Sequence, residues 1–204
     1  MKQLAMLAPL VFVGACSQGG PSYMPLVDDK EWTYTEMSSS SFQQNVPTIK
    51  VGKKISVGGV EGRVLTGDLG ESHIAWDKKR LIASMMANTA FNPPIPLLVE
   101  DKIPDKKKSR EEEFVPVEEL AITFESLGKI RKAKATLSQR RTTLQLTTGE
   151  TQVVETVLKV QIDGVKDDVP LELRTWFERG VGIVRQEQRT NRNFVVGIEK
   201  IGKN

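Results

Sequence analysis

The chain has 204 residues, with 29 basic and 26 acidic side chains and a formal net charge of +3. This near balance excludes a dedicated nucleic-acid surface, which needs a clustered excess of Lys and Arg. The length suffices for one domain with a real hydrophobic core. The single cysteine excludes an internal disulfide, so stability must come from packing and strand pairing.

The N-terminus has the three parts of an export signal. Lys2 supplies a positive charge, residues 4–13 form an apolar run, and Gly14 and Ala15 are the small residues that a signal peptidase requires. An apolar run of this length is too short to cross a bilayer, which takes about 20 residues. The segment therefore predicts export and removal of residues 1–15.

Val13, Gly14, Ala15 and Cys16 resemble the lipobox of bacterial lipoproteins. The resemblance implies that Cys16 receives acyl chains of the palmitate type and becomes the first mature residue. A thiolate suits this chemistry because it attacks a lipid electrophile readily near neutral pH. Two or more acyl chains would hold the protein stably on a membrane. The alternative is an ordinary secretory signal in which the cysteine has no role.

These features predict three regions: a signal peptide at 1–15, a lipidated flexible tether at 16–22, and a single antiparallel β domain at 23–204. In lipoproteins of diderm bacteria an aspartate after the cysteine marks inner-membrane retention. Ser17 at this position resembles the outer-membrane case. We therefore expect a cell-envelope location, on the outer membrane facing the periplasm in a diderm host, and otherwise on the outer face of the plasma membrane.

Alternation of apolar and polar residues dominates the body and predicts an all-β fold, a curved antiparallel sheet in the form of a half-barrel or open barrel. Short helices are candidates only around 81–88 and 109–120. The predicted strands lie at 32–35, 48–57, 60–69, 73–76, 81–86, 114–124, 130–137, 142–146, 154–162, 171–177, 183–190 and 194–201.

Two stretches interrupt this alternation. Residues 92–96 contain three prolines, which lack backbone donors, and we expect polyproline II structure and an internal break there. Residues 101–113 join a lysine block to a glutamate block and predict a solvated loop, with a docking patch for anionic lipid or a partner as the alternative. Pro116 confines the start of the next strand to an edge or a bulge.

An early Trp-Tyr strand and a late hairpin resemble secreted bacterial lipoproteins whose sheets are similar to the half-barrels of periplasmic lipoprotein carriers. The resemblance implies a concave apolar cavity that holds acyl chains. The matching residues are Trp32, Tyr34, Trp176, Phe177, Gly180, Gly182, Ile183 and Val184.

We find no set of residues that indicates catalysis, a metal or a cofactor. His73 is the only histidine, which favours a satisfied surface or turn residue over a metal ligand. The adjacent pairs Asp167-Asp168 and Glu118-Glu119 point to opposite faces of a strand, so neither forms an acid/base dyad. The expectation is a non-enzymatic protein without a cofactor.

Two functions from different classes remain. The first is binding of a hydrophobic ligand, lipid or lipoprotein acyl chain on the curved sheet, in a candidate groove lined by Trp76, Met85, Met86 and Trp176. The second is a structural or assembly lipoprotein that presents loops or an edge strand to an envelope protein. The expected partners are thus the membrane, through Cys16, and a lipid or an envelope protein, but no nucleic acid.

The lipobox resemblance makes a direct prediction. Replacing Cys16 with Ser removes the acylated thiol, so the variant should leave the membrane fraction that holds the wild-type protein. Cell fractionation and intact-mass measurement test this. A Cys16→Ser protein that still sediments with membranes would contradict lipidation at this residue.

Overall fold

A computed structural model of the chain describes residues 22–38, 46–104, 113–126, 128–164, 171–190 and 194–201. Cys16, the rest of the lipobox and the Asp167-Asp168 pair lie outside the described residues. One 3-10 helix, Glu100–Lys102, occurs among twelve strands. These strands are β1 (Glu31–Ser38), β2 (Thr48–Val57), β3 (Val60–Gly67), β4 (Ser72–Asp77), β5 (Arg80–Met86), β6 (Thr89–Val99), β7 (Val115–Ser126), β8 (Lys129–Leu146), β9 (Gly149–Ile162), β10 (Leu171–Glu178), β11 (Gly182–Thr190) and β12 (Phe194–Lys200).

The strands form a closed antiparallel barrel in which each strand pairs with its neighbours in sequence. Closure comes from β1, which pairs with β12 from Tyr34 opposite Lys200 to Ser38 opposite Val196. The predicted all-β barrel-type fold is confirmed, and its sheet is closed on itself. Closure matters because it pairs the edge strands that an open sheet would expose.

The alternation seen in the sequence separates the inner from the outer face of the barrel. In β9, Val154, Leu158 and Val160 belong to the main buried cluster, which fills the interior, whereas Val153 belongs to a separate cluster on the outer face. The predicted hairpin glycines are also confirmed, with φ values of +80° at Gly180 and +116° at Gly182.

The two helix candidates form the predicted strands where they are described. Residues 81–86 lie in β5, and residues 115–120 lie in β7. Pairing with neighbouring strands outweighs the weak local preference of these sequences for a helix. The bulge expected near Pro116 is confirmed, because the register with β8 shifts between Pro116 and Glu118.

The prediction of polyproline II at residues 92–96 is wrong, because this run lies inside β6. It pairs with β5 on one side, where Ile82 is opposite Pro96. On the other side, pairing with β7 stops at Asn92 opposite Thr123. The prolines are tolerated because β6 no longer pairs with β7 at these residues. Backbone N–H donors on that side of the strand are therefore not needed.

Gln139 fills part of the space where β6 and β7 separate. Its side chain is fully buried, and its amide accepts a hydrogen bond from the Val99 N–H (3.2 Å) and donates one to the Val99 carbonyl (2.8 Å). A side chain of β8 thus takes the place of a missing strand neighbour. This satisfies two buried backbone groups that would otherwise destabilise the fold.

The N-terminal segment, residues 22–30, closes one end of the barrel, which we call the plugged end. The β4–β5, β8–β9 and β10–β11 turns lie at this end. Tyr23 and Met24 are 3% and 1% exposed and join the interior cluster. The Met24 carbonyl accepts a hydrogen bond from the Trp76 indole (2.9 Å), and the Ser22 carbonyl accepts one from the Gly180 N–H (2.7 Å).

Two aromatic side chains of β1 cross the interior near this end. The Trp32 indole donates to the Val181 carbonyl (2.6 Å), and the Tyr34 hydroxyl donates to the Ile183 carbonyl (3.0 Å). Gly182 permits this contact, because a Cβ there would lie 3.0 Å from the Trp32 ring nitrogen. Burial raises the pKa of the Tyr34 hydroxyl far above its ordinary value.

We predict that Gln139→Leu lowers the free energy of unfolding by about 2 to 5 kcal/mol, because two buried backbone groups of Val99 lose their partners. Urea unfolding measures this change. Gln152→Leu is the matched control, since Gln152 is exposed and bonds only to the Thr143 hydroxyl; its effect should stay within about 0.5 kcal/mol. Equal losses in both variants would contradict the role of Gln139.

We also predict a pH-dependent difference between the wild type and Tyr34→Phe. Because the folded-state pKa is raised, Tyr34 contributes its full stability below the unfolded-state pKa of about 10 and loses it as the pH rises further. The variant should be less stable by about 1 kcal/mol at pH 7 through its lost hydrogen bond, and this gap should narrow above about pH 10. Urea unfolding at pH 7, 9 and 10.5 tests this. A gap that stays constant would contradict it.

Candidate functional site: an apolar cup at the end of the barrel opposite the plug

The end of the barrel opposite the N-terminal plug carries inward-facing apolar side chains that are only half-buried. It lies where β5 meets β6, β7 meets β8 and β9 leads into β10. We call this surface the cup. Its lining side chains all pack on the main interior cluster and come from β5, β6, β7 and β10: Met86, Phe91, Leu120, Phe124, Leu171 and Leu173.

The aromatic part of the cup comes from the last rungs between β6 and β7. Phe91 is directly opposite Phe124, so their side chains share a face. Their ring centroids are 6.5 Å apart and the rings are tilted by 36°. This separation is within the range of favourable aromatic pairs, and both rings remain partly accessible.

The contrast between the two ends of the interior follows from what fills them. At the plugged end, Trp32, Tyr34 and Phe177 are at most 1% exposed and share the main interior cluster with Tyr23 and Met24 of the N-terminal segment. The cup is defined by strand residues only, since the connections at 39–45, 165–170 and 191–193 lie outside the described residues. Partly buried apolar side chains also occur at the plugged end, at Leu26, Trp76 and Ile103, but the paired rings of Phe91 and Phe124 lie at the cup end.

The structure does not bring the four predicted groove residues together. Met86 lies in the cup, but Trp76 lies at the plugged end, bonded to Met24. Met85 is opposite Ala90, which alternates with Phe91, so Met85 is on the outer face. Trp176 is 7% exposed and packs in the outer cluster that Leu146, Val153 and Val184 complete.

Beside Trp176, the outer face carries a buried carboxylate between arginines. Glu155 is 1% exposed, and its two oxygens lie 2.6 Å from Arg140 and 3.5 Å from Arg174. Both Arg side chains are about a quarter exposed, so they shield Glu155 while reaching water. This arrangement stabilises strand pairing and leaves Glu155 no free oxygen for acid/base chemistry.

Other arginines of the barrel wall also form ion pairs and hydrogen bonds. Arg185 and Arg189 both pair with Glu187 along β11, and Arg185 also pairs with Glu199 of β12 (3.6 Å). Arg140 pairs across strands, with Glu155 of β9. Arg141 instead donates to the Pro104 carbonyl (2.8 Å). These contacts identify the arginines as structural groups of the barrel wall.

His73 contacts a single carboxylate, with Nε2 2.5 Å from Glu71. In the part of the chain that the structure describes, no group of three or more His, Cys, Asp or Glu side chains has the arrangement of a metal site. The same described residues contain no helix long and apolar enough to cross a membrane.

Only some of the residues that line the cup could be assigned to a common face from the sequence. Leu120, Ile122 and Phe124 alternate along β7 and could be assigned to one face. The partner ring, Phe91, stands next to the proline run that was predicted to leave the sheet. Pairing between Phe91 and Phe124 joins residues distant in sequence, which local periodicity does not reveal.

No family model and no curated protein sequence matches this chain. Its fold does match solved structures. A candidate lipoprotein from Parabacteroides distasonis superposes with a TM-score of 0.53 at 12% identity, over 90% of this chain and 98% of that one. A candidate exported protein with a YmcC-like fold from Bacteroides fragilis gives a TM-score of 0.52 at 12% identity, over 88% and 97%. At this identity the likeness shows the fold alone.

Proposed function

We propose that this protein is a non-enzymatic lipoprotein of the bacterial cell envelope, anchored through Cys16, whose barrel binds a hydrophobic ligand in the cup. The ligand class is a lipid or the acyl chain of another lipoprotein. The observation that carries the proposal is the set of inward-facing, half-buried apolar side chains around Phe91 and Phe124. Apolar side chains gathered at the mouth of a β-barrel are typical of hydrophobic ligand sites.

The lipobox resemblance at Cys16 and the fold shared with a candidate lipoprotein both support the anchor. The anchor also orients the barrel. Cys16 precedes Ser22 by six residues, and Ser22 lies against the β10–β11 turn at the plugged end. Six residues span at most about 20 Å. The plugged end therefore faces the anchoring membrane, and the cup faces away from it.

A second candidate function is assembly with an envelope protein through a strand edge. It is favoured by β7, whose pairing with β6 is limited to three rungs at residues 123–125. Two side chains already reach the first half of this edge. Lys102 donates to the Val117 carbonyl (3.0 Å), and Arg80 pairs with Glu118 (2.5 Å). Because these contacts occupy the edge, we place ligand binding in the cup first.

The proposal predicts binding of a neutral hydrophobic probe by the unacylated chain, residues 17–204, which contains every described contact. N-phenyl-1-naphthylamine should gain fluorescence on binding. Phe124→Gln should weaken binding by about tenfold, because it removes one ring of the aromatic pair and adds a polar group to the cup. A fluorescence titration measures both affinities.

Ile130→Gln is the matched control. Ile130 lies near Phe124 on the adjacent strand and is 72% exposed, but it is opposite Glu125, which places it on the outer face. Its replacement should leave probe affinity unchanged. Equal weakening by both substitutions, or failure of the wild-type chain to bind the probe, would overturn the proposal. Co-purification of a lipid with the native protein would support it.

A further inference from the structure

The inner face of β8 changes from charged to small apolar residues as it enters the cup. Lys129 and Arg131 are exposed at the lip, and Ala133 and Ala135 follow on the same face, 4% and 1% exposed. The intervening side chains, Ile130, Lys132 and Lys134, point to the outer face. This order places two cations directly at the entrance to an apolar surface.

Cross-strand pairing brings the Arg131 cation close to the aromatic rings of the cup. Arg131 is opposite Phe124, and Phe124 is opposite Phe91. Side chains directly opposite each other in an antiparallel pair have Cβ atoms about 5 Å apart. Deeper in the barrel, Ala133 lies between Ile122 and Ile162 on the neighbouring strands. A charged lip and an apolar wall are therefore continuous on one surface.

The cations at the lip have no protein counter-ion among the described residues. Lys134 on the outer face pairs with Glu119 (2.8 Å), whereas no carboxylate of the described chain lies within ion-pair distance of Lys129 or Arg131. Glu125, the nearest acid on β7, is opposite Ile130 and thus on the other face of the sheet. Both side chains are exposed, so their charges can reach a ligand in the cup.

We propose that the ligand of the cup is a single-chain anionic amphiphile, a long-chain carboxylate, with its head on Arg131 and its tail on Phe124, Phe91 and Leu120. This inference rests on the proposed function and further specifies that the hydrophobic ligand carries a negative charge. A planar guanidinium matches a carboxylate with two parallel hydrogen bonds. Lys129 adds a second positive charge on the same face, so an anionic head group is favoured there over a neutral one.

The test measures binding of oleate and of oleyl alcohol to the unacylated protein, residues 17–204. Oleyl alcohol has the same hydrocarbon tail as oleate but carries no charge. Displacement of N-phenyl-1-naphthylamine gives both affinities. Oleate should bind more tightly than the alcohol, and Arg131→Gln should weaken oleate by about five- to tenfold while leaving the alcohol unchanged. Added salt should weaken oleate binding to the wild type more than to the variant, which keeps Lys129.

Lys132→Gln is the matched control, because it removes the same charge one residue away on the outer face. It should leave oleate affinity unchanged. Equal affinities for oleate and oleyl alcohol, or equal losses in the two variants, would overturn this inference and leave the proposed function standing. Tighter, Arg131-dependent binding of oleoyl lysophosphatidate than of oleate would overturn the assignment of a carboxylate. Failure of every probe to bind would overturn the proposed function itself.

Discussion

The insertion of Tyr23 and Met24 into one end of the barrel is the interaction on which the rest of the structure depends. A closed sheet of twelve strands has two ends, and strand pairing alone does not distinguish them. Here the N-terminal segment fills one, held by hydrogen bonds from Trp76 and Gly180. Tyr23 and Met24 share one buried cluster with Trp32, Tyr34 and Phe177, and the apolar residues of the opposite end are partly accessible. The asymmetry of the barrel, and hence the cup, follows from this insertion.

The separation of β6 from β7 is the second constraint. Pairing between these strands lasts from Ala90 to Asn92 and ends where the prolines begin. The short paired stretch brings Phe91 against Phe124, and the separated stretch would expose backbone groups of Val99 inside the protein. Gln139 satisfies those groups. A buried polar side chain therefore permits the sheet to remain closed around a proline-rich strand.

The outer face shows how a barrel without disulfides can hold its strands together. Arg140 and Arg174 converge on Glu155, and Arg185 joins Glu187 to Glu199. The aliphatic stems of these arginines cover the sheet while their charged groups reach water. Arg185 also lies 5.4 Å from the centre of the Trp176 ring. Trp176 thus serves the packing of the outer wall, and the sequence pattern around it reflects stability more than binding.

The sequence by itself determined the strands, most of their turns and the face on which most side chains lie, because alternation of period two and glycines at positive φ are local properties. It also determined the lipobox resemblance at Cys16. The tertiary structure decided closure, the plug and the cup. Closure depends on β1 meeting β12 from the far end of the chain, and the cup depends on Phe91 meeting Phe124 beside a proline run. Trp76 and Trp176 are also distant in sequence, and the structure places them on opposite faces of the barrel wall. Local patterns carry no information about which distant residues meet, since that choice is made by packing and closure of the whole sheet.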